Sequence, residues 1–176
     1  GYPEWFFVFG QGEFFGIPTQ LWIVAFFTLL TGFILTYTTW GRATYAIGAN
    51  ETAARFSGIA VDKTKLFIYA ASGFAASLAA IIFVSRVSTT RSDMGMGLEL
   101  DAITSVVLGG TSIFGGKGTI VGTFFGLILI QILKNGLSLA GVKSDGTYIA
   151  IGLVLILTLL ISNLSVSYTH LRAHET

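Results

Sequence analysis

Apolar residues form five segments along the chain, separated by short polar stretches. Four of these segments run over about Thr19–Trp40, Leu66–Val87, 119–133 (with an extension to 137) and Thr147–Leu164. Each approaches the ~20 residues that a helix needs to cross a hydrocarbon core of about 30 Å. The pattern therefore predicts at least four membrane-spanning helices.

The third segment, Ala102–Phe114, is too short to span comfortably, which leaves a tilted short span, a half-helix or a re-entrant piece open. All five segments are continuously apolar and do not alternate, and unpaired strand edges cannot be satisfied in lipid. We therefore predict an all-α, polytopic helical membrane protein. It would hold about five transmembrane or half-membrane helices.

Composition agrees with this class and excludes several functions. Hydrophobic residues make up 53% of the 176 residues and charged residues 11%, against about 25% charged in soluble domains. A net charge of +1 argues against nucleic-acid binding, which needs a clustered basic face. The chain has no cysteine, no Ser/His/Asp set and no intramembrane carboxylate pair. We therefore expect no enzyme activity, no cofactor and no metal.

Lys and Arg residues in short loops predict the orientation of the spans. The stretch 41–65 is the most basic, while 1–18 carries only acidic residues, so 41–65 is predicted in the cytoplasm and 1–18 and 88–101 outside. If the third segment spans, a loop with Lys134 and Lys143 lies outside, against the rule. The orientation of the last three segments therefore stays open.

The polar stretch 41–65 contains the signals of a short helix. Asn50 is a good N-cap residue, and Glu51 in the first turn complements the helix dipole. Glu51 and Arg55 stand four residues apart in the favourable order. Gly58 suits a left-handed position after the helix end.

These signals predict a helix over Glu51–Ser57, flanked by Gly48 and Gly58. A helix of about two turns is not stable alone in water, so it has to dock on something. Two interpretations stay open at this point: contact with a soluble partner, or an interfacial turn on the lipid headgroups.

Gly118, Gly122 and Gly126 form a GxxxGxxxG pattern along the fourth segment. Small residues at this spacing let helix backbones approach closely in lipid. The pattern predicts helix packing within one subunit, and a dimer face or a wall of the substrate path are the alternatives.

The stretch Gly109–Gly118 resembles a phosphate-binding loop but does not match it. Thr111 stands where the first Gly is required, and Gly118 follows Lys117 where Ser or Thr is required. We interpret this stretch as a Gly-rich break between helices, so that any ATP hydrolysis lies on another chain.

The last residues break the apolar pattern. His170 and His174 have a spacing that can chelate zinc on a helix, but no Glu follows the first His. The stretch resembles a translated sequencing-adapter tail, so we interpret 165–176 as non-native and assign the histidines no function.

Two motifs carry a resemblance to a known family. GRATYAIGANETAARFSGI, and further on ELDAITSVVLGGTSIFGGKGTIVGTFFG, resemble the permease subunit of bacterial ABC sugar importers of the ribose/xylose/rhamnose class, within the branched-chain amino-acid-type permease superfamily. The resemblance covers nearly all of 10–164 and corresponds to the C-terminal half of such permeases, which implies that the five segments are part of a roughly ten-helix permease. It makes residues 1–164 part of a single transmembrane domain with a cytoplasmic coupling loop at 41–65.

The resemblance implies a function and a set of partners. The segment Gly48–Gly58 would contact ATPase subunits, and its helix would be a coupling helix. The implied ATPase-coupling residues are Gly48, Asn50, Glu51, Ala54, Arg55 and Gly58. The implied partners are an ABC ATPase, a second permease chain (identical or not), a periplasmic sugar-binding protein and the lipid of the bacterial inner membrane.

The leading hypothesis is therefore a subunit that translocates a monosaccharide, driven by a separate ATPase. A permease for branched-chain amino acids or nucleosides, and a membrane scaffold that transports nothing, remain as alternatives.

Overall fold

The computed structural model of the protein describes the backbone of residues 3–172 and the side chains of residues 3–164. The chain divides into two compact units. One comprises Gly1–Met94 and Phe114–Gly116, and the other comprises Gly95–Ile113 and Lys117–Thr176.

The first unit is helical apart from one small hairpin. Its elements are α1 (Glu4–Gln11), β1 (Glu13–Phe14), β2 (Ile17–Pro18), α2 (Thr19–Tyr37), α3 (Thr39–Ala49), α4 (Glu51–Phe56) and α5 (Val61–Val87). The hairpin pairs Glu13 with Pro18 and Phe14 with Ile17, and it connects α1 to α2.

The short helix α1 packs against the end of α5. Ser85 of α5 is fully buried, and its hydroxyl donates a hydrogen bond of 2.6 Å to the carbonyl of Phe6. A Cβ on Gly10 would clash with the backbone of Ser85 and Arg86, so the two helices approach closely only because this residue is glycine. Gln11 adds a hydrogen bond of 3.0 Å to the Ser88 hydroxyl. The stretch 1–18 is therefore ordered on the end of α5 over its described residues.

The boundary between α2 and α3 corrects the predicted first segment, Thr19–Trp40. The helix ends at Tyr37 because Thr38 is extended, and the Thr38 hydroxyl accepts a hydrogen bond of 3.3 Å from the Gly41 amide. Thr38 is thus the N-cap of a new helix. The first part of the polar stretch 41–65 therefore belongs to the separate helix α3, which the hydrophobic pattern did not predict.

The second unit contains the remaining three helices. These are α6 (Leu98–Leu108), α7 (Ile120–Leu139) and α8 (Ser144–Arg172). The backbone of α8 continues into the predicted non-native tail, which stays a prediction; His170 and His174 fall where no side chain is described.

The predicted third segment, Ala102–Phe114, is wrong at both ends. The helix α6 begins at Leu98, after Gly97 in the left-handed region (φ 88°), and stops before Gly109 and Gly110, of which Gly110 has φ 91°. Glycine positions therefore set both ends, and the apolar residues after Leu108 lie in a loop. The 11 residues of α6 extend about 16 Å, roughly half the thickness of a hydrocarbon core.

The glycines of the predicted GxxxGxxxG pattern lie at close contacts. A Cβ on Gly122 would clash with the Gly109 carbonyl, and a Cβ on Gly126 with the Ser105 carbonyl. The helices α6 and α7 therefore approach backbone to backbone. Gly118 precedes α7, and a Cβ there would lie 2.7 Å from the Thr111 hydroxyl oxygen.

Within the described residues, four helices are long and apolar enough to cross a membrane. They are Thr19–Tyr37, Val61–Val87, Ile120–Leu139 and Ser144–Leu164. With the short α6, they match the prediction of about five transmembrane or half-membrane helices. The polytopic helical fold is confirmed.

Candidate functional site

The candidate site is the short helix α4, together with the residues that connect it to α3 and α5. Asn50 separates α3 from α4 in an extended conformation. Its amide donates to the Ala46 carbonyl (3.1 Å) and closes α3, while its side-chain oxygen accepts from the Ala53 amide (2.9 Å) and caps α4. One residue thus ends one helix and begins the next, so the angle between them is defined locally.

Gly58 ends the helix in the left-handed region, with φ 83°. Its amide donates to the Arg55 carbonyl, and the Ile59 amide donates to the Ala54 carbonyl, each at 3.1 Å. These bonds satisfy carbonyls that a helix end leaves open. The helix ends at Phe56, one residue before the predicted end.

Ion pairs attach α4 to the first turn of α5. Glu51 contacts Arg55 within α4 at 3.3 Å and reaches Lys65 of α5 at 2.5 Å. The two terminal nitrogens of Arg55 donate to the two carboxylate oxygens of Asp62, at 2.6 and 3.0 Å. We call Glu51, Arg55, Asp62 and Lys65 the α4–α5 ion-pair network. The double contact between the planar guanidinium of Arg55 and the carboxylate of Asp62 fixes the relative orientation of these two groups as well as their distance.

The network also shifts the pKa values of its two members in α4. Hydrogen bonds from Lys65 and Arg55 lower the pKa of Glu51 below its ordinary 4.5. The pKa of Arg55 is raised, mainly by its hydrogen bonds to Asp62 and to a smaller extent by the one to Glu51. Folding lowers the pKa of Glu51. Its contribution to the stability of the folded state is therefore present above pH 4.5 and is lost as the pH falls through the folded-state pKa. Glu51 and Arg55 are therefore both charged at neutral pH. Its members are exposed, so it orients α4 more than it stabilises the fold.

The two sides of α4 differ in exposure. Ala54 is buried, with 4% of its surface accessible, whereas Phe56 is 89% exposed. Aromatic residues are enriched in protein–protein interfaces relative to the rest of the protein surface. The predicted residue Ala54 therefore faces the protein, and Phe56, which the sequence reasoning did not select, faces outward.

Gly48 brings a second segment to the same place. A Cβ on Gly48 would lie 2.5 Å from the Gly116 amide nitrogen, and a Cβ on Gly116 would lie 2.9 Å from the Ala49 Cα. Gly115 and Gly116 are both in the left-handed region, at φ 91° and 77°. The Gly-rich stretch that failed the phosphate-loop match thus packs, through 114–116, on the end of α3 next to α4.

The described part of the chain contains no group of three or more His, Cys, Asp or Glu residues that would hold a metal ion. Its distinctive chemistry is the capped, ion-paired helix α4 between candidate spans. The helix α4 is therefore part of a segment that connects two candidate spans of a multi-pass membrane protein.

Comparison with known proteins assigns the family. Residues 2–159 match the family described as branched-chain amino acid transport system / permease component, and the chain belongs to this family. It is 47% identical over 155 residues to the ribose import permease protein RbsC of Escherichia coli K12, covering 88% of this chain and 48% of the relative.

Two further relatives extend the range of similarity. The RbsC protein of Bacillus subtilis is 43% identical over 154 residues, covering 88% of this chain and 48% of the relative. The L-arabinose transport system permease protein AraH of E. coli K12 is 36% identical over 153 residues, covering 87% and 47%. The chain thus spans about half the length of these curated relatives. No solved structure matches it significantly.

The resemblance inferred from the two motifs is confirmed by these matches. The relatives are transporter permease subunits and not enzymes. The roles of the individual site residues are not tested by them and stay predictions.

Proposed function

We propose that this chain is the C-terminal part of a permease subunit that imports a monosaccharide through the bacterial inner membrane. The main support is the similarity to permeases named for ribose and L-arabinose, combined with four candidate spans. The described residues hold no phosphate-binding loop, so the energy would come from a separate ATP-binding-cassette ATPase. A second permease chain, identical or not, and a periplasmic sugar-binding protein would complete the importer.

The helix α4 would be the coupling helix that receives the motion of the ATPase. Two contacts and one exposed side chain support this role: the Asn50 cap connects α4 to α3, the α4–α5 ion-pair network connects it to α5, and Phe56 remains exposed. A force on Phe56 would therefore be transmitted to α5, which is long enough to span the membrane. ATP binding can favour one conformation only through a difference in affinity for the two states.

The first test breaks the α4–α5 ion-pair network in the complete importer. We expect Arg55→Glu to abolish most sugar uptake, because a carboxylate at this position would repel both Glu51 and Asp62. Gly58→Pro should act similarly, since proline cannot adopt φ 83° and lacks the amide that donates to Arg55. Uptake of labelled D-ribose and L-arabinose by cells is the measurement.

A matched control is Lys63→Glu, which makes the same charge change on an exposed residue of α5 outside the network. It should retain uptake. Wild-type uptake by Arg55→Glu, with the importer normally assembled, would contradict the coupling role of α4.

The second test concerns the exposed face of α4. We expect Phe56→Ala to reduce co-purification of the ATPase with the permease, while the expression and melting temperature of the permease stay unchanged because the ring is 89% exposed. Thr52→Ala, also exposed on α4, is the control. If the ATPase co-purifies equally with Phe56→Ala, this residue is not part of the contact. If no ATPase binds the unsubstituted permease, the scaffold alternative is favoured.

A permease for branched-chain amino acids is the second candidate, because the family carries that description. Including labelled leucine in the uptake measurement separates the two, since a sugar permease should not accumulate it.

A further inference from the structure

The end of α7 nearest Leu139 carries a polar stripe on an otherwise apolar span. From Ile120 to Ile130 the only hydroxyl or amide side chain is that of Thr123. The stripe then follows at spacings of three, one and three residues: Gln131, Lys134, Asn135 and Ser138. At about 100° per residue these four positions fall within an arc of roughly 100° on one face of the helix.

This stripe lines a cavity of about 340 Å³ within the second unit. The other walls come from the loop after α7 and the first turns of α8; the additional lining residues are Val142, Ser144, Thr147 and Tyr148. The volume lies at the lower end of the roughly 300–1,000 Å³ range of small-molecule sites. Seven of the eight lining residues carry a hydroxyl, amide or ammonium group.

Two contacts with the α6 region hold the walls in position. The Lys134 ammonium donates to a carboxylate oxygen of Asp101, which is 4% exposed. The Tyr148 hydroxyl donates to the Met96 carbonyl at 3.0 Å. The charge of Lys134 is thus compensated at the cavity wall, and the lining has no net charge from this pair.

The location of the stripe limits what can face it. Hydrocarbon offers no hydrogen-bond partners, so polar side chains within a span face either protein or a water-filled path. Over this last part of the helix the opposite side of α7 carries Leu129 and Gly136, which have no polar side chain, whereas farther back Gly122 and Gly126 on that side pack against α6. The polar side chains of this part of α7 are therefore confined to one side.

We propose that this cavity is a binding subsite for a neutral polyhydroxylated solute on the transport path. The amides of Gln131 and Asn135 can both donate and accept, as the hydroxyl groups of a polyol do. Lys134 retains protons for further donation after its bond to Asp101. A zwitterionic amino acid would need an uncompensated partner for each of its charges, which the paired Lys134 does not provide. The inference rests on the proposed import function and names the residues that would contact the solute.

These 176 residues contain no cysteine, so a cysteine introduced into α7 can be tested by thiol labelling, with the unsubstituted importer giving the background reaction. In the complete importer in proteoliposomes, we expect Asn135→Cys to react with a charged, water-soluble methanethiosulfonate reagent. Saturating D-ribose or L-arabinose, whichever the importer accumulates, should slow this reaction at least fivefold. Ser138→Cys provides a second position on the stripe.

The matched control is Gly136→Cys, which is adjacent in sequence and at nearly the same depth but faces the other side of α7. It should react slowly, and sugar should not change its rate. Failure of Asn135→Cys and Ser138→Cys to react, or reaction at the same rate with and without sugar, would overturn the subsite. If the unsubstituted importer accumulates neither sugar, the proposed function itself fails. The two failures are therefore distinguishable.

Discussion

Asp101→Ala is expected to destabilise the permease by about 1–3 kcal/mol, the usual effect of leaving a partly buried hydrogen-bonding group without its partner. The Asp101 side chain is 6% exposed and that of Lys134 is 29% exposed. Without the carboxylate, the Lys134 ammonium would lose its compensating charge and would be hydrated only in part. The melting temperature of the purified permease in detergent, followed by size-exclusion chromatography after heating, measures the effect.

Two further variants serve as a control and as a rescue for Asp101→Ala. Asp93→Ala removes a carboxylate from an exposed pair with Arg91, with 60–70% of each side chain accessible, and should change stability by less than about 0.5 kcal/mol. The double variant Asp101→Ala/Lys134→Met should recover most of the loss, because it removes the uncompensated charge as well. Equal melting temperatures for Asp101→Ala and Asp93→Ala would contradict the buried pair.

Gly48→Ala is expected to separate the end of α3 from the 114–116 stretch and to impair sugar uptake. The new methyl group would lie 2.5 Å from the Gly116 amide nitrogen, which belongs to the backbone and cannot rotate away. Overpacking of this kind costs about 1–3 kcal/mol. Because α4 begins three residues later, at Glu51, the shift would also displace the proposed coupling helix. Uptake by cells and the melting temperature of the purified permease are the measurements.

Gly73→Ala is the control for this variant, since it adds the same group in the middle of α5 where no atom lies within 4 Å. It should stabilise the helix by up to about 1 kcal/mol, because alanine is the better helix former. Normal uptake and stability in Gly48→Ala would show that the approach of 114–116 to α3 is not required.

Features that depend on neighbours in sequence were predictable. The cap of Asn50, the pair of Glu51 with Arg55 and the glycine at 58 obey local rules, and they placed α4 to within one residue. The four long spans followed from continuous hydrophobicity, with ends that differed from the structure by a few residues.

Features that depend on tertiary contacts were not predictable from the pattern. Asp62 and Lys65 precede the predicted second segment, and only the start of α5 at Val61 brings them to the side of α4. The approach of Gly115 and Gly116 to Gly48 joins residues almost 70 positions apart, and no local rule encodes such a contact. The third segment was wrongly predicted to continue past Leu108, because hydrophobicity alone does not detect glycines in the left-handed region.

Lys134 also bears on how this chain would be inserted into a bilayer. The positive-inside rule counts cations in the loops between spans. Lys134 lies inside α7, five residues before its end, where it pairs with Asp101. The connection 140–143 therefore contributes a single lysine, Lys143, to the topogenic signal. The conflict that two lysines created for the orientation of α7 and α8 is reduced by half, since a cation that lies within α7 and pairs with Asp101 is not part of the loop that the rule counts.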